Sequence, residues 1–235
     1  MKKGVLFDLD DTLYDYDKYH EQALKDMFKI INKKAKISFK EFLRLYQESK
    51  EEVHRDLAGN PYMHSALMYM KRIFEKLNMG YSLDSTLKIY DIYIKSFLGR
   101  IRLYKKTIPL FEELRRRKIK IAVVTGQTEE AQLRKIKHLK ISKYIDLLVT
   151  SEEAGKEKPH SSSYSLALNK LNMKKEDVLF VGDNPKTDIQ GSNVSGIDSV
   201  LLKRSQYSKI KLTGNIKPNF IIKDIYEVLR IIDKN

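Results

Sequence analysis

Three carboxylates follow a short apolar run near the start of the chain. Val5-Leu6-Phe7 leads directly into Asp8-Leu9-Asp10-Asp11-Thr12. Such a run is typical of a buried parallel strand, and open α/β sheets bind ligands at the carboxyl ends of their strands. Crowded carboxylates repel one another, and a divalent cation that prefers oxygen ligands removes that repulsion. The stretch therefore indicates a Mg²⁺ site, although taken alone it is equally compatible with a polar turn, in which Asp is common.

Another carboxylate follows a second strand-like run late in the chain. Phe180-Val181-Gly182 precedes Asp183, and Asp188 comes five residues later. Because the carboxyl ends of parallel strands lie at one edge of a sheet, Asp183 is expected near Asp8, where the two carboxylates can share one cation. A Gly-Asp pair by itself indicates no more than a turn.

Two further segments carry groups suited to phosphate oxygens. Thr125-Gly126 ends the apolar run Ile121–Val124, and a hydroxyl beside a glycine amide can cradle a phosphate. Lys158 precedes Pro159 just before a predicted helix, where its ammonium would neutralise a phosphoryl oxygen and nearby carboxylates. Lys156, two residues away, is a rival for the same role.

The elements that must position these residues alternate between strand and helix. Apolar runs predict strands at 5–7, 121–124, 147–149, 178–181, 199–202 and 220–222. Helical spacing predicts helices at 108–118, 128–139, 161–171, 187–195 and 225–232, with Asp188 at the start of the fourth. The polar segment 203–217 is predicted to be a surface loop. This alternation predicts an α/β fold with a doubly wound parallel sheet, a Rossmann-like core.

Four successive helices without an intervening strand interrupt that alternation. The first spans about 18–37, and the second begins at the capping-box signature Ser38-x-x-Glu41. The third ends at Met79-Gly80, and the fourth runs from Ser82 to Leu98. We interpret residues 16–100 as an inserted α-helical bundle, and residues 1–15 with 101–235 as the α/β core domain.

Composition excludes several classes of function. The 235 residues contain no cysteine, which excludes disulfides and thiolate chemistry. They also contain no run of about 18 apolar residues, so no membrane-spanning helix is predicted. The start of the chain lacks a secretory signal, so we expect a cytoplasmic protein. The net charge of +14 favours anionic partners. No nucleic-acid-binding motif accompanies it, so nucleic acid is not expected. The oligomeric state, monomer or homodimer, stays open.

Taken together, four segments resemble the motifs of the haloacid dehalogenase superfamily of aspartate-nucleophile hydrolases. The matching residues, in chain order, are Asp8-x-Asp10-x-Thr12, Thr125, Lys158-Pro159 and Gly182-Asp183-x(4)-Asp188. The resemblance spans nearly the whole chain. It extends to the helical insert, which looks like the family's type 1 cap, an element that closes over the site, excludes water and selects the substrate.

The resemblance implies a role for each carboxylate of the first motif. Asp8 would be the nucleophile that forms an aspartyl-phosphate. Asp10 would protonate the leaving oxygen and then deprotonate the hydrolytic water. Mg²⁺ would be bound by Asp8, the backbone carbonyl of Asp10, and Asp183.

The remaining motif residues would hold the substrate or support the others. Thr125, the Gly126 amide and Lys158 would bind the transferring phosphoryl oxygens. Asp188 would orient Lys158 or a metal-bound water, and Thr12 would fix the loop that carries Asp10.

Asp10 separates two branches of this family. Expelling a halide needs no proton, whereas expelling an alkoxide from a phosphate ester does, so an acid at this position predicts a phosphatase. We therefore predict a Mg²⁺-dependent phosphomonoester hydrolase of a small phosphorylated metabolite, such as a sugar phosphate, a triose phosphate or phosphoglycolate. Two alternatives stay open: a phosphosugar mutase of the same family, and a catalytically silent basic binding protein.

Overall fold

The computed structural model describes residues 2–78 and 83–234, which form two compact units. One unit, here called the sheet unit, contains the chain up to Asp15 and from Arg102 onward. The other, the helical unit, spans Tyr16–Ile101. The helical unit ends at Ile101, one residue later than the end predicted from the sequence.

Six parallel strands form one sheet, as the alternating pattern predicts. They are β1 (Gly4–Phe7), β2 (Lys120–Thr125), β3 (Leu147–Thr150), β4 (Val178–Gly182), β5 (Asp198–Leu202) and β6 (Phe220–Ile222). Their order is β3-β2-β1-β4-β5-β6, so the chain builds outward from β1 on one side and then crosses to β4 on the other. The loops after β1 and β4 therefore flank the topological switch point, where doubly wound sheets bind ligands.

The helices lie close to the ranges that the sequence predicts. The helical unit contains α1 (Tyr16–Ala35), α2 (Phe39–Asp56), a 3₁₀ turn (Pro61–His64), α3 (Ala66–Lys76) and α4 (Leu83–Arg100). The sheet unit contains α5 (Thr107–Arg116), α6 (Glu129–His138), α7 (Ser151–Ala154), α8 (Ser162–Leu171), α9 (Gln190–Val194) and α10 (Val228–Ile232). Among the described residues, no helix has both the length and the apolar character needed to cross a bilayer.

The core of the sheet unit fixes the strand ends in register. Phe7, the last residue of β1, pairs with Val123 on one side and Val181 on the other. Every residue of β1 and β4 is buried, because helices cover both faces of a parallel sheet. Tyr164 of α8 packs on Phe180, with 4.9 Å between ring centroids. The polar residues that follow β1, β2 and β4 are thus carried by rigid, apolar strands.

The segment after β4 differs from the predicted helix 187–195. Asn184 begins a turn of π-helix, Pro185–Ile189, and its side-chain oxygen accepts a hydrogen bond from the Lys186 amide at 3.0 Å. Asp188, predicted to begin the helix, instead lies within this turn and is 1% exposed. The prediction was wrong because Asn184 lies nearer the strand end and caps the turn, which leaves the Asp188 carboxylate directed inward.

The helical unit is built from two packed helix pairs, α1 with α4 and α2 with α3. The Ser38 hydroxyl caps α2 by accepting from the Glu41 amide at 3.1 Å, as predicted, while the Glu41 carboxylate pairs with Arg44. The predicted helix end at Met79-Gly80 and helix start at Ser82 lie outside the described residues.

Candidate active site

Three buried carboxylates meet at the carboxyl edge of the sheet. Asp8 follows β1 and Asp183 follows β4, and these neighbouring strands are tied at their ends by the Asp8 amide, which donates to the Val181 carbonyl at 2.9 Å. One carboxylate oxygen from each of Asp8, Asp183 and Asp188 lies within 4.8 Å of the other two. The structure therefore brings together side chains that are 175 positions apart in the sequence (183 minus 8).

Lys158 lies inside this cluster. Its Nζ donates to Asp8 Oδ1 and to Asp188 Oδ1, each at 2.6 Å, and to the Val124 carbonyl at 3.3 Å. Lys156, the rival named from the sequence, is exposed. A buried ammonium is stable only when carboxylates and carbonyls replace its lost hydration, and the cluster supplies them to Lys158.

Burial dominates the electrostatics of the cluster. Burial raises the pKa of Asp8 to about 7, with the neighbouring Lys158 ammonium acting against that rise. Burial, together with the charges of Asp188 and Asp8, raises the pKa of Asp183 well above its ordinary value. Although burial by itself lowers the pKa of Lys158, the carboxylates of Asp188 and Asp8 raise it well above its ordinary value.

These groups fit a divalent cation. Three buried carboxyl groups face the Lys158 ammonium, so the ionised cluster would carry more negative charge than that ammonium balances. The raised pKa values of Asp8 and Asp183 express the same imbalance, since neither carboxyl ionises easily in dry surroundings. Oxygen ligands alone suit a hard cation.

Gly182 makes room for Asp188. A Cβ atom at position 182 would lie 2.4 Å from Asp188 Oδ2, well inside van der Waals contact. The same oxygen accepts from the Asn184 amide at 3.0 Å, while Oδ1 accepts from Lys158. The Gly-Asp-x(4)-Asp spacing thus lets the π-helical turn fold its fourth residue back against the strand end.

The turn after β2 presents Thr125 and Gly126. Thr125 is 1% exposed, and its Oγ1 accepts from Gln132 Nε2 at 3.2 Å, which leaves its own hydroxyl proton available to another acceptor. A Cβ atom at Gly126 would lie 3.0 Å from the Glu157 carboxylate. Glu157 in turn accepts from the Gln127 amide at 3.1 Å, which fixes the turn.

Thr12 joins the loop after β1 to the loop after β4. Its hydroxyl donates to Asp183 Oδ1 at 3.3 Å, and the residue is fully buried. Thr12 was predicted to fix the loop that carries Asp10. The observed contact joins the loop after β1 to the loop after β4, because those strands are neighbours in the sheet.

Asp10 lies in a polar group that the sequence motifs did not include. Its Oδ2 accepts from Lys135 Nζ at 2.6 Å and from Gln127 Nε2 at 3.3 Å, and its Oδ1 accepts from the Tyr14 hydroxyl. The sequence contained one indication that Lys135 is buried. It lies three residues after Gln132 and next to Ile136, on the buried face of α6. A charged residue on such a face implies a buried counter-charge.

The segment 203–217, predicted to be a surface loop, also reaches the site. Gln206 Nε2 donates to Asp183 Oδ2 at 3.3 Å, and Arg204 Nε donates to the Asp11 carbonyl at 3.0 Å. The Arg204 guanidinium lies 4.0 Å above the centroid of the Tyr104 ring. The sequence did not predict these contacts, because a polar, aperiodic segment carries no signal for the direction in which it folds.

Comparisons with known proteins found a family match and similar phosphatases. The profile of the haloacid dehalogenase-like hydrolase family matches residues 5–202. A ribulose-1,5-bisphosphate 5-phosphatase of Halopiger xanaduensis is 32% identical over 209 residues, which cover 88% of this chain and 87% of that protein. A glyceraldehyde 3-phosphate phosphatase of Methanopyrus kandleri is 27% identical over 237 residues, which cover 99% and 97%.

A solved structure shares the same fold. The 2-haloacid dehalogenase of Pseudomonas syringae superposes with a TM-score of 0.75 at 21% identity, covering 100% of this chain and 99% of that one. At this identity the likeness concerns the fold alone. The family match spans most of the chain and includes Asp8 and Asp183 at the strand ends and Lys158 before α8, so this protein belongs to the haloacid dehalogenase-like hydrolase family.

Proposed function

We propose that the protein is a Mg²⁺-dependent phosphatase that hydrolyses a small phosphorylated metabolite. The observation that carries the proposal is the position of two carboxylates on one loop. Asp8 lies buried against Lys158, while Asp10, two residues later, is hydrogen-bonded outside that cluster. One carboxylate is thus available as a nucleophile and the other as an acid and base.

In the first half of the reaction, a carboxylate oxygen of Asp8 attacks phosphorus opposite the ester oxygen. The phosphorus–ester bond breaks, and its electron pair stays on the departing oxygen, which takes a proton from Asp10. An aspartyl-phosphate remains on Asp8. In the second half, Asp10 accepts a proton from a water whose oxygen attacks phosphorus, and the bond between phosphorus and the Asp8 oxygen breaks, which releases phosphate and regenerates the Asp8 carboxylate.

Asp8, Asp183 and the backbone carbonyl of Asp10 would hold the magnesium ion. The ion supplies positive charge that reduces the repulsion between an anionic nucleophile and an anionic substrate. Support comes from the buried carboxyl cluster, which carries raised pKa values for Asp8 and Asp183. Asp188 belongs to the same cluster, but its contact with Lys158 supports a positioning role.

The transferring phosphoryl group would be held by residues after β2 and before α8. The Thr125 hydroxyl and the Gly126 amide would donate hydrogen bonds to its oxygens, and Lys158 would offset their negative charge. Burial of Thr125 and Lys158 supports this assignment, because a dry site strengthens each of these interactions.

The substrate class follows from the relatives and from charge. The two relatives are named for the phosphate esters of a five-carbon and a three-carbon sugar. The net charge of +14 favours an anionic substrate. Asp10 supports ester hydrolysis over dehalogenation, since an alkoxide needs a proton to leave and a halide does not. We therefore expect a small sugar phosphate or a phosphorylated acid of similar size.

A panel of phosphorylated metabolites tests the proposal. The panel contains ribulose 1,5-bisphosphate, glyceraldehyde 3-phosphate and phosphoglycolate, each with Mg²⁺ and with EDTA, and free phosphate is measured. We expect Mg²⁺-dependent release from at least one member, and we expect the Asp8→Asn variant to release none while keeping a native circular dichroism spectrum.

The other outcomes separate the alternatives. Transfer of phosphate to a second hydroxyl through a bisphosphate, with no free phosphate, would identify a phosphosugar mutase. Absence of turnover on the whole panel and on p-nitrophenyl phosphate would favour a silent binding protein. Release of phosphate by Asp8→Asn at a rate near the unmodified protein's would remove Asp8 from the nucleophilic role.

A further inference from the structure

Lys135 is a buried cation with no role in the mechanism described so far. Its side chain is 6% exposed, and its Nζ lies 2.6 Å from Asp10 Oδ2 and 3.4 Å from Gln127 Oε1. Lys137, two residues along the same helix, is exposed. Burying an ammonium is unfavourable unless a counter-charge accompanies it, so the fold places Lys135 specifically against Asp10.

The helix that carries Lys135 also contacts the turn proposed to bind phosphate. Gln132, one helical turn earlier, donates from Nε2 to the Gly126 carbonyl at 2.8 Å and to Thr125 Oγ1 at 3.2 Å. One face of α6 therefore contacts both the proposed phosphate ligands and the proposed acid. This arrangement ties the Asp10 carboxyl group to the same rigid element as the phosphate cradle.

We infer that Lys135 is a positioning residue that orients the Asp10 carboxyl group so that it can donate its proton to the ester oxygen. The inference rests on the proposed phosphatase function. In that step the proton moves from Asp10 to the ester oxygen, the electron pair of the broken phosphorus–oxygen bond stays on that oxygen, and Lys135 keeps its own protons. Asp10 thereby becomes a carboxylate beside an ammonium.

The contact between Asp10 and Lys135 holds the Asp10 carboxyl group in one orientation, which aligns its proton for transfer to the ester oxygen. Its effect depends on how far the proton has moved. A strongly basic leaving group, such as an alkoxide, needs the proton in the transition state. A weakly basic one, such as dinitrophenolate, leaves without it. Loss of Lys135 is therefore expected to slow the first kind of ester much more than the second.

A series of phosphate monoesters with different leaving groups tests the inference. We compare kcat/KM for an alkyl phosphate and for 2,4-dinitrophenyl phosphate, because this constant reports the steps up to formation of the phosphoenzyme. Lys135→Met is expected to lower kcat/KM for the alkyl ester about 100-fold and for the dinitrophenyl ester less than about 5-fold, since general acid catalysis contributes about 100-fold or more. Lys135→Arg is expected to restore much of the loss.

The matched control is Lys137→Met, which removes an exposed ammonium from the same helix and is expected to leave both constants unchanged. If the Lys135→Met variant is not folded, Lys135→Gln gives the same comparison with a shorter, uncharged donor. In an Asp10→Asn background the substitution at 135 is expected to add no leaving-group dependence, because the group through which it acts is gone.

Three results would overturn the inference. An equal loss of kcat/KM for both esters would mean that Lys135 only maintains the structure. A leaving-group effect that persists undiminished in the Asp10→Asn background would mean that it acts elsewhere. If the unmodified protein hydrolyses no ester at all, the proposed function is overturned, and this inference with it. That result differs from the first two, in which the unmodified protein is active.

Discussion

Two lysines, two residues apart, occupy opposite environments in this protein. Lys158 is buried between Asp8 and Asp188, whereas Lys156 is exposed. The chain before α8 brings only Lys158 to the strand ends, where its Nζ donates to Asp8 Oδ1 and to the Val124 carbonyl. At the scale of single residues, the site therefore depends on which of two chemically identical groups loses its contact with water.

Replacing each lysine with alanine measures that difference. Lys158→Ala removes a cation from a buried carboxylate cluster and is expected to lower kcat/KM about 1,000-fold, because it removes charge stabilisation from a dry site. Lys156→Ala is the matched control and is expected to change kcat/KM less than about 2-fold, as substitutions of exposed residues usually do. Steady-state kinetics on the best substrate of the panel gives both values, and the reverse ranking would mean that Lys156 is the functional lysine.

The element that matters most for the site is the π-helical turn after β4. Gly182 ends the strand, Asn184 caps the turn, and Asp188 folds back to within hydrogen-bond distance of Lys158. Tyr164 of α8 supports the turn from behind, because its hydroxyl donates to the carbonyls of Thr187 and Asp188 at 3.1 and 3.2 Å. The packing around this turn therefore leaves little room for a larger side chain.

Gly182→Ala tests that limit. The added methyl group would lie 2.4 Å from Asp188 Oδ2, so Asp188 must move. We expect a destabilisation of about 1–3 kcal/mol, typical of overpacking, and a loss of activity larger than 10-fold or so as Lys158 loses its contact. Urea unfolding and phosphate release measure the two effects.

Gly99→Ala is the control for the previous substitution. Gly99 lies within α4, is exposed, and a Cβ atom there would meet no atom within 4 Å. Alanine is expected to stabilise the protein by up to about 1 kcal/mol, because it favours the helix over glycine. Similar effects of the two substitutions on stability would contradict the packing argument for Gly182.

On the scale of the whole molecule, the carboxylate cluster links folding to pH and to metal. Burial raises the folded-state pKa of Asp8 from an ordinary 3.8 to about 7. The folded protein therefore binds a proton that the unfolded chain releases, which stabilises the fold fully below pH 3.8 and is lost as pH rises through about 7. A bound cation would restore that stability at neutral pH, since it takes the place of the proton.

Thermal unfolding with and without Mg²⁺ tests this linkage. We expect Mg²⁺ to raise Tm more at pH 8 than at pH 5, because protons compete with the metal at the lower pH. In EDTA, Asp8→Asn is expected to reduce the fall in Tm between these two pH values, since the amide does not titrate. A Tm increase that is the same at both pH values would show that the buried carboxyls do not bind the ion.

The sequence by itself determined the order of the elements and the residues at the strand ends. Apolar runs of three or four residues predict buried parallel strands, and both the order of the elements and the ends of the strands can be read from this local pattern. Asp8, Thr125 and Asp183 follow such runs directly, so the parallel sheet places them at one edge. The choice of Lys158 over Lys156 came from the Lys158-Pro159 motif of the resembled family, because their spacing by itself does not reveal burial.

The tertiary structure decided the contacts that depend on packing between distant segments. Lys135 meets Asp10 across 125 positions, and Gln206 meets Asp183 from a polar segment with no periodic pattern. Capping by Asn184 placed Asp188 inside a π-helical turn rather than at the start of the helix. Periodicity records which face of an element is apolar, but it does not record which polar groups meet there, since the free energy of a buried ion pair arises only after the whole core has formed.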